Sequence, residues 1–150
     1  MKDENVECWT CRSNSGEQRI SPGQTIYSGE YWFVEHAYPV KQMGWIVIVL
    51  KRHVEALHEL TAEEFTELGN IQARLSKLLR ETLECQKEYV SCYAEKEHFR
   101  HIHFHVFAKP HDLPNELFGG RSFALINIPE EEAVAPEEIK EFCDLLLKKW

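Results

Sequence analysis

Residues 101 to 106 read His-Ile-His-Phe-His-Val, and this alternation constrains the fold more tightly than any other stretch of the chain. Side chains on a β-strand point alternately to its two faces, so His101, His103 and His105 share one face while Ile102, Phe104 and Val106 share the other. The apolar face anchors the strand to a core. The other face is a row of imidazoles about 6.5 to 7 Å apart, a spacing that suits a phosphate group, a metal ion or both together. A histidine tract without a fold has no reason to alternate.

A chain of 150 residues with 43% hydrophobic content suits one domain over residues 1–150, burying roughly 68 to 70% of its unfolded surface. Its formal charge of −8 argues against a partner such as a nucleic-acid polymer, whose phosphates need a basic face to displace their counterions. A small phosphate ligand remains compatible, because a local site can be positive on an acidic protein. No apolar stretch approaches the roughly 20 residues of a membrane span. The start, MKDENVECWT, is too polar for a signal peptide, so a cytoplasmic protein with no membrane partner is expected. Five cysteines, an odd number in a chain with an adequate core, speak against a disulfide framework.

Along the chain, two β-prone runs flank Ser28-Gly29 and predict a hairpin, and the β-branched run Trp45 to Leu50 predicts a strand buried on both faces. Thr61-Ala-Glu-Glu64 is a capping box. Phe65, Leu68, Ile71, Leu75, Leu78, Leu79 and Leu83 follow at helical spacing, so an amphipathic helix is expected from about 61 to the mid-80s. Residues 88–93 and the histidine strand are separated by the charged Glu95-Lys-Glu97 and are expected to pair antiparallel. Pro110, Pro114, Gly119 and Gly120 mark a loop, and Pro136 opens a terminal helix that is acidic first and basic last, as the helix dipole favours. Strands, helix, strands, helix make an α+β class.

Two constellations carry chemistry. Cys8-Trp-Thr-Cys11 is a C-x-x-C, open between a redox pair, half a zinc site and coincidence. A redox pair would want a helix start after a strand, whereas Ser13-Asn-Ser-Gly16 follows here. Zinc needs two further ligands, and the strand-end histidines His53 and His101 are natural donors. In the histidine strand itself, a neutral imidazole can attack phosphorus and hold it as a phosphohistidine, while a neighbouring imidazole hydrogen-bonds the phosphoryl oxygens.

The run His-Ile-His-Phe-His-Val-Phe at 101–107 resembles the signature of the histidine triad superfamily, three histidines alternating with apolar residues. Gly44-Trp-Ile-Val-Ile-Val-Leu-Lys-Arg-His53, followed by Leu60-Thr-Ala-Glu-Glu, resembles that family's apolar strand, basic "Lys-Arg-His" and helix start, in the expected order and spacing. The resemblance covers most of residues 8–110. It implies a five-stranded antiparallel sheet with two main helices, paired into a ten-stranded sheet in a homodimer. Within residues 1–150 it divides the chain into a zinc-knuckle arm at 1–12, a core at 20–110, a loop at 111–135 and a helix at 136–150.

The resemblance also implies a nucleotide or nucleotidyl small-molecule partner. The expected reaction is attack at the α-phosphorus of a nucleoside phosphoramidate or dinucleoside polyphosphate, with His103 as nucleophile and His105 touching phosphate and leaving group. Zinc-binding branches combine a C-x-x-C with two such histidines, which implies a closed structural zinc site at Cys8, Cys11, His53 and His101. Relatives carry a phosphate-binding hydroxyl before the triad where this chain has His98, an arginine after it where this chain has Lys109, and a ribose-binding acid to which Glu35 corresponds. These three are the candidate nucleotide contacts. The alternatives are a non-catalytic nucleotide-binding module and a metalloenzyme whose triad holds the metal. The second would want an all-β barrel, which the long helix from Thr61 opposes.

Overall fold

The run Trp45–Leu50 is too uniformly apolar to face water on either side, and it forms the central strand β3 of a five-stranded sheet. The computed structural model describes residues 7–150, so residues 1–6 of the expected arm lie outside the described residues. A short helix α1 (Trp9–Asn14) precedes the hairpin of β1 (Tyr27–Ser28) and β2 (Trp32–His36). After β3 come α2 (Ala62–Leu83), β4 (Lys87–Ser91), β5 (His103–Lys109) and α3 (Pro136–Lys149). The sheet order is β1-β2-β3-β5-β4 with every neighbouring pair antiparallel, which leaves β4 at an open edge. No helix among the described residues is long and apolar enough to cross a membrane.

The register assigns the two faces. Trp32, Val34, Ile46, Ile48, Leu50, Phe104 and Val106 fall on one side, where Trp32 donates its indole N–H to the Glu64 carbonyl of α2 at 2.8 Å. Leu68, Ile71, Leu75, Leu78 and Leu79 of α2 are buried in the same core, one apolar stripe at helical spacing. Both halves of the Thr61–Glu64 capping box are present and start the helix where the sequence places it. Further along, the Glu67 carboxylate accepts the backbone N–H groups of Glu30, Tyr31 and Trp32, pinning the hairpin to α2.

At the far end of β2, His36 is fully buried. Its Nδ1 donates to the Ala37 carbonyl and its Nε2 accepts the Gly44 N–H, a pairing only the neutral ring can make. Burial holds its pKa down to about 4. Gly44 has φ of +89°, and a Cβ there would lie 2.5 Å from the Leu83 side chain, so the turn into β3 requires glycine.

The paired strand is shorter than the histidine row. The ladder between β3 and β5 starts at the pair Val49–His103, not at His101. Just before it, the Ile102 carbonyl still accepts the Leu50 N–H in register, but the Ile102 N–H goes to the Val54 carbonyl, so the paired strand ends there. His101 therefore stands off the strand, while His103 and His105 share the face opposite α2 with Val47 and Val49. The 110–135 segment folds into three 3₁₀ turns, one of which (Gly119–Leu125) carries Phe123 over that face.

Candidate functional site

Cys8, Cys11, His53 and His101 converge, with their four donor atoms within 4.8 Å of one another. Cys8 caps α1, and its Sγ accepts the Cys11 N–H, which places both sulfurs on one side of the helix start. The Cys11 Sγ lies 3.4 Å from Nδ1 of both His53 and His101, and the Cys8 Sγ lies 3.7 Å from Nδ1 of His101. A zinc tetrahedron with Zn–S near 2.3 Å and Zn–N near 2.0 Å has S···N edges of about 3.6 Å, so the donor set fits zinc. The outer nitrogens are also held. Nε2 of His101 donates to the Leu50 carbonyl at 2.6 Å, and Nε2 of His53 meets the Glu55 carboxylate at 3.2 Å, as ligating histidines require to aim the inner nitrogen.

Next to this cluster, His103 and His105 stand 4.8 Å apart, ring centre to ring centre. Their hydrogen bonds give them opposite tautomers. His103 Nδ1 lies 2.6 Å from the His101 carbonyl, which can only accept, so the proton sits on Nδ1 and Nε2 keeps its lone pair. His105 Nδ1 accepts the Trp45 indole N–H at 2.9 Å, so the proton of the neutral ring sits on Nε2. One ring offers a nucleophile and the other a hydrogen-bond donor. Burial lowers the pKa of both, that of His105 to about 3 with His103 beside it contributing.

The two rings open into a cleft of about 460 Å³. Thr10, Ser13 and Asn14 of α1 form one wall, Val47 and Val49 the floor, and Pro39, Val40 and Ile126 the opposite wall. Tyr93 and Phe123 stand at the rim near His105, and Lys96 supplies positive charge. Asn14 also donates to the Leu50 carbonyl, so the α1 wall is tied to the end of β3.

The expected nucleotide contacts divide. Glu35 lines the cleft, with both carboxylate oxygens held by Arg19 at 2.8 Å and a third bond from Thr25. His98 instead stacks on Trp9, with its Nδ1 donating to the Glu7 carbonyl, because a positive φ of 67° turns it toward the arm. Lys109 is buried, donates to the Gln86 side chain and lies over the Phe118 ring. Neither His98 nor Lys109 lines the cleft. Lys96 and Trp45 were not singled out from sequence as site residues. A tryptophan in an apolar run reads as core, which Trp45 also is, and nothing local announces that its N–H reaches a histidine 60 positions away.

Residues 8–117 match the family described as scavenger mRNA decapping enzyme C-term binding. A search among curated proteins finds no match. Among solved structures, a Hit-like protein involved in cell-cycle regulation from Bartonella henselae superposes with a TM-score of 0.73 at 13% identity, over 97% of this chain and 98% of that one. A zinc-bound histidine triad family protein from Mycobacterium smegmatis gives 0.65 at 19% identity, over 95% and 94%. A histidine triad protein from Sinorhizobium meliloti gives 0.69 at 17% identity, over 86% and 90%. At these identities the likeness is one of fold.

The tautomers can be read without any activity. Long-range ¹H–¹⁵N correlation spectra at neutral pH should show His103 protonated at Nδ1 and His105 at Nε2. Trp45→Phe should release His105 alone into a mixture of tautomers. Finding both rings in the same form in the wild type would refute the assignment.

Proposed function

Because the chain belongs to the scavenger mRNA decapping enzyme C-term binding family of histidine triad proteins, we propose that it binds a nucleotide in the triad cleft and cleaves a nucleotidyl compound at its α-phosphorus through His103. The observation that carries this reading is the opposed tautomer pair, a free Nε2 lone pair 4.8 Å, ring to ring, from a ring presenting Nε2–H.

The steps follow from the hydrogen bonds. His103 Nε2 forms a bond to phosphorus, the bond from phosphorus to the leaving atom breaks, and the leaving atom carries off the electron pair and takes a proton from solvent. The positive charge that develops on the His103 ring rests against the His101 carbonyl through Nδ1–H. His105 donates its Nε2–H to an oxygen on phosphorus or to the leaving atom. It does not surrender that proton, since the Trp45 N–H already occupies Nδ1 and opposes a second proton there. Water then cleaves the phosphohistidine and restores His103. The substrate class is a nucleoside phosphoramidate or dinucleoside polyphosphate, with Glu35 and the α1 wall beside the nucleoside.

His103→Ala should lower AMP release from an adenosine phosphoramidate by at least about 10³-fold, as loss of a nucleophile does, with nucleotide affinity largely kept. Wild-type turnover in that variant would remove His103 from the mechanism. Nucleotide binding without AMP release by the wild type would leave a binding module instead, a reading favoured by the engagement of Glu35 with Arg19.

Cys8, Cys11, His53 and His101 would hold a zinc ion whose role is structural, since four protein ligands leave no open position. About one zinc per chain is expected by metal analysis, and Cys11→Ser should lose it. Because α1 also forms a wall of the cleft, zinc loss should lower the melting temperature and raise KM more than it lowers kcat. A zinc-free wild type of unchanged stability would defeat the assignment.

We also propose a two-fold dimer joined along β4, the open edge of the sheet, where Val90 stays half exposed. Light scattering should give about twice 17.6 kDa, and a monomer at micromolar concentration would exclude it.

A further inference from the structure

A second hollow of about 290 Å³ opens on the far side of His105, and it shares Tyr93, His105, Gly120 and Phe123 with the triad cleft. Its walls are aromatic. Trp45 and Phe107 stack at 4.6 Å, Tyr89 leans on Phe107 at 6.2 Å, and Phe123 stands over both Trp45 and His105 at 5.2 and 4.9 Å. Gly119 and Gly120 close it with bare backbone. Among the described residues, Glu88 is the one formally charged residue lining the hollow, and no lysine or arginine does.

From this geometry, and resting on the reaction proposed above, we infer that the hollow is the leaving-group subsite and takes a flat, uncharged or cationic aromatic group carried on the leaving atom at the α-phosphorus. Displacement in line at phosphorus sends the leaving atom away from His103 Nε2. The same-face row His103, His105, Phe107 advances about 6.6 Å per step, so a group departing past His105 meets the hollow at once. The accessible rings of Tyr89, Tyr93 and Phe123 and the glycine backbone match a flat aromatic face, and an aromatic contact adds to affinity beyond its buried area. An anionic phosphate chain would face Glu88 with no cation to receive it. An amine-linked aryl group is therefore favoured over the second half of a dinucleoside polyphosphate.

The test compares N-benzyl and unsubstituted 5′-phosphoramidates of adenosine and guanosine, whose leaving amines are alike in basicity. The wild type should turn over the benzyl compound with kcat/KM about tenfold higher. Tyr89→Ala should erase most of that advantage and leave the unsubstituted compound within about twofold. Should Tyr89→Ala fail to fold, Tyr89→Leu, which keeps apolar contact without a ring face, replaces it. Equal kcat/KM for the two compounds in the wild type, or an equal loss on both in the variant, overturns the subsite. If the wild type cleaves neither compound, the hydrolytic reading fails by itself. The subsite is then judged by calorimetric affinity for the same pair, in which a benzyl preference lost in the Tyr89 variant supports it and equal affinities overturn it. A variant that halves in mass while keeping the benzyl preference assigns this face to a second copy of the chain and also overturns it.

Discussion

His101 holds three parts of the molecule in one geometry. Its Nδ1 belongs to the four-donor cluster that ties α1 to the sheet, its Nε2 is fixed by the Leu50 carbonyl at the end of β3, and its own carbonyl sets the tautomer of His103. The ring is fully buried, so each of these partners replaces a water it cannot have. The consequence reaches both walls of the site. Moving this one residue shifts the arm that lines the cleft and frees the ring whose lone pair faces it. A cation in the cluster would thus act on the cleft without contacting the substrate.

The pair His103 and His105 shows how a protein gives two identical side chains different protonation patterns. In water either ring samples both tautomers. Here a carbonyl beside one Nδ1 and an indole N–H beside the other fix complementary forms. Burial disfavours the imidazolium in both. A charged His105 would have to break its bond from Trp45, so the structure holds the neutral ring with its proton on Nε2.

Much of this was legible in the chain because the signals are local. The capping box at Thr61, the leucine stripe of α2, the apolar run of β3 and the Pro136 helix each declare themselves within a few residues, and the structure has them at those places. The C-x-x-C alone leaves three readings open, and the resemblance to zinc-binding branches is what groups Cys8, Cys11, His53 and His101, whose donor atoms the structure brings within 4.8 Å of one another. What stayed hidden depends on contacts far apart in sequence or on backbone conformation. A left-handed His98 turns away from the triad, which residue type alone does not announce. Lys109 follows the triad in sequence, yet it is buried on Gln86 and Phe118, while Lys96, from the charged Glu95–Glu97 turn, supplies positive charge to the cleft. His101 falls outside the paired strand because the Ile102 N–H turns from β3 to the Val54 carbonyl.

Trp45 illustrates why core and site cannot be separated here. Its ring is 1% exposed and stacks on Phe107, so by area it is a core residue. Yet its single polar atom is spent on His105, because a buried indole N–H without a partner would cost about 1 to 3 kcal/mol. The core therefore satisfies its own buried donor by fixing a site histidine, and the same ring that fills the sheet between β3 and β5 selects which nitrogen of His105 faces the cleft. That economy couples the two: a substitution that repacks β3 to improve the core without an N–H at position 45 would leave the site one hydrogen bond short, however stable the fold became.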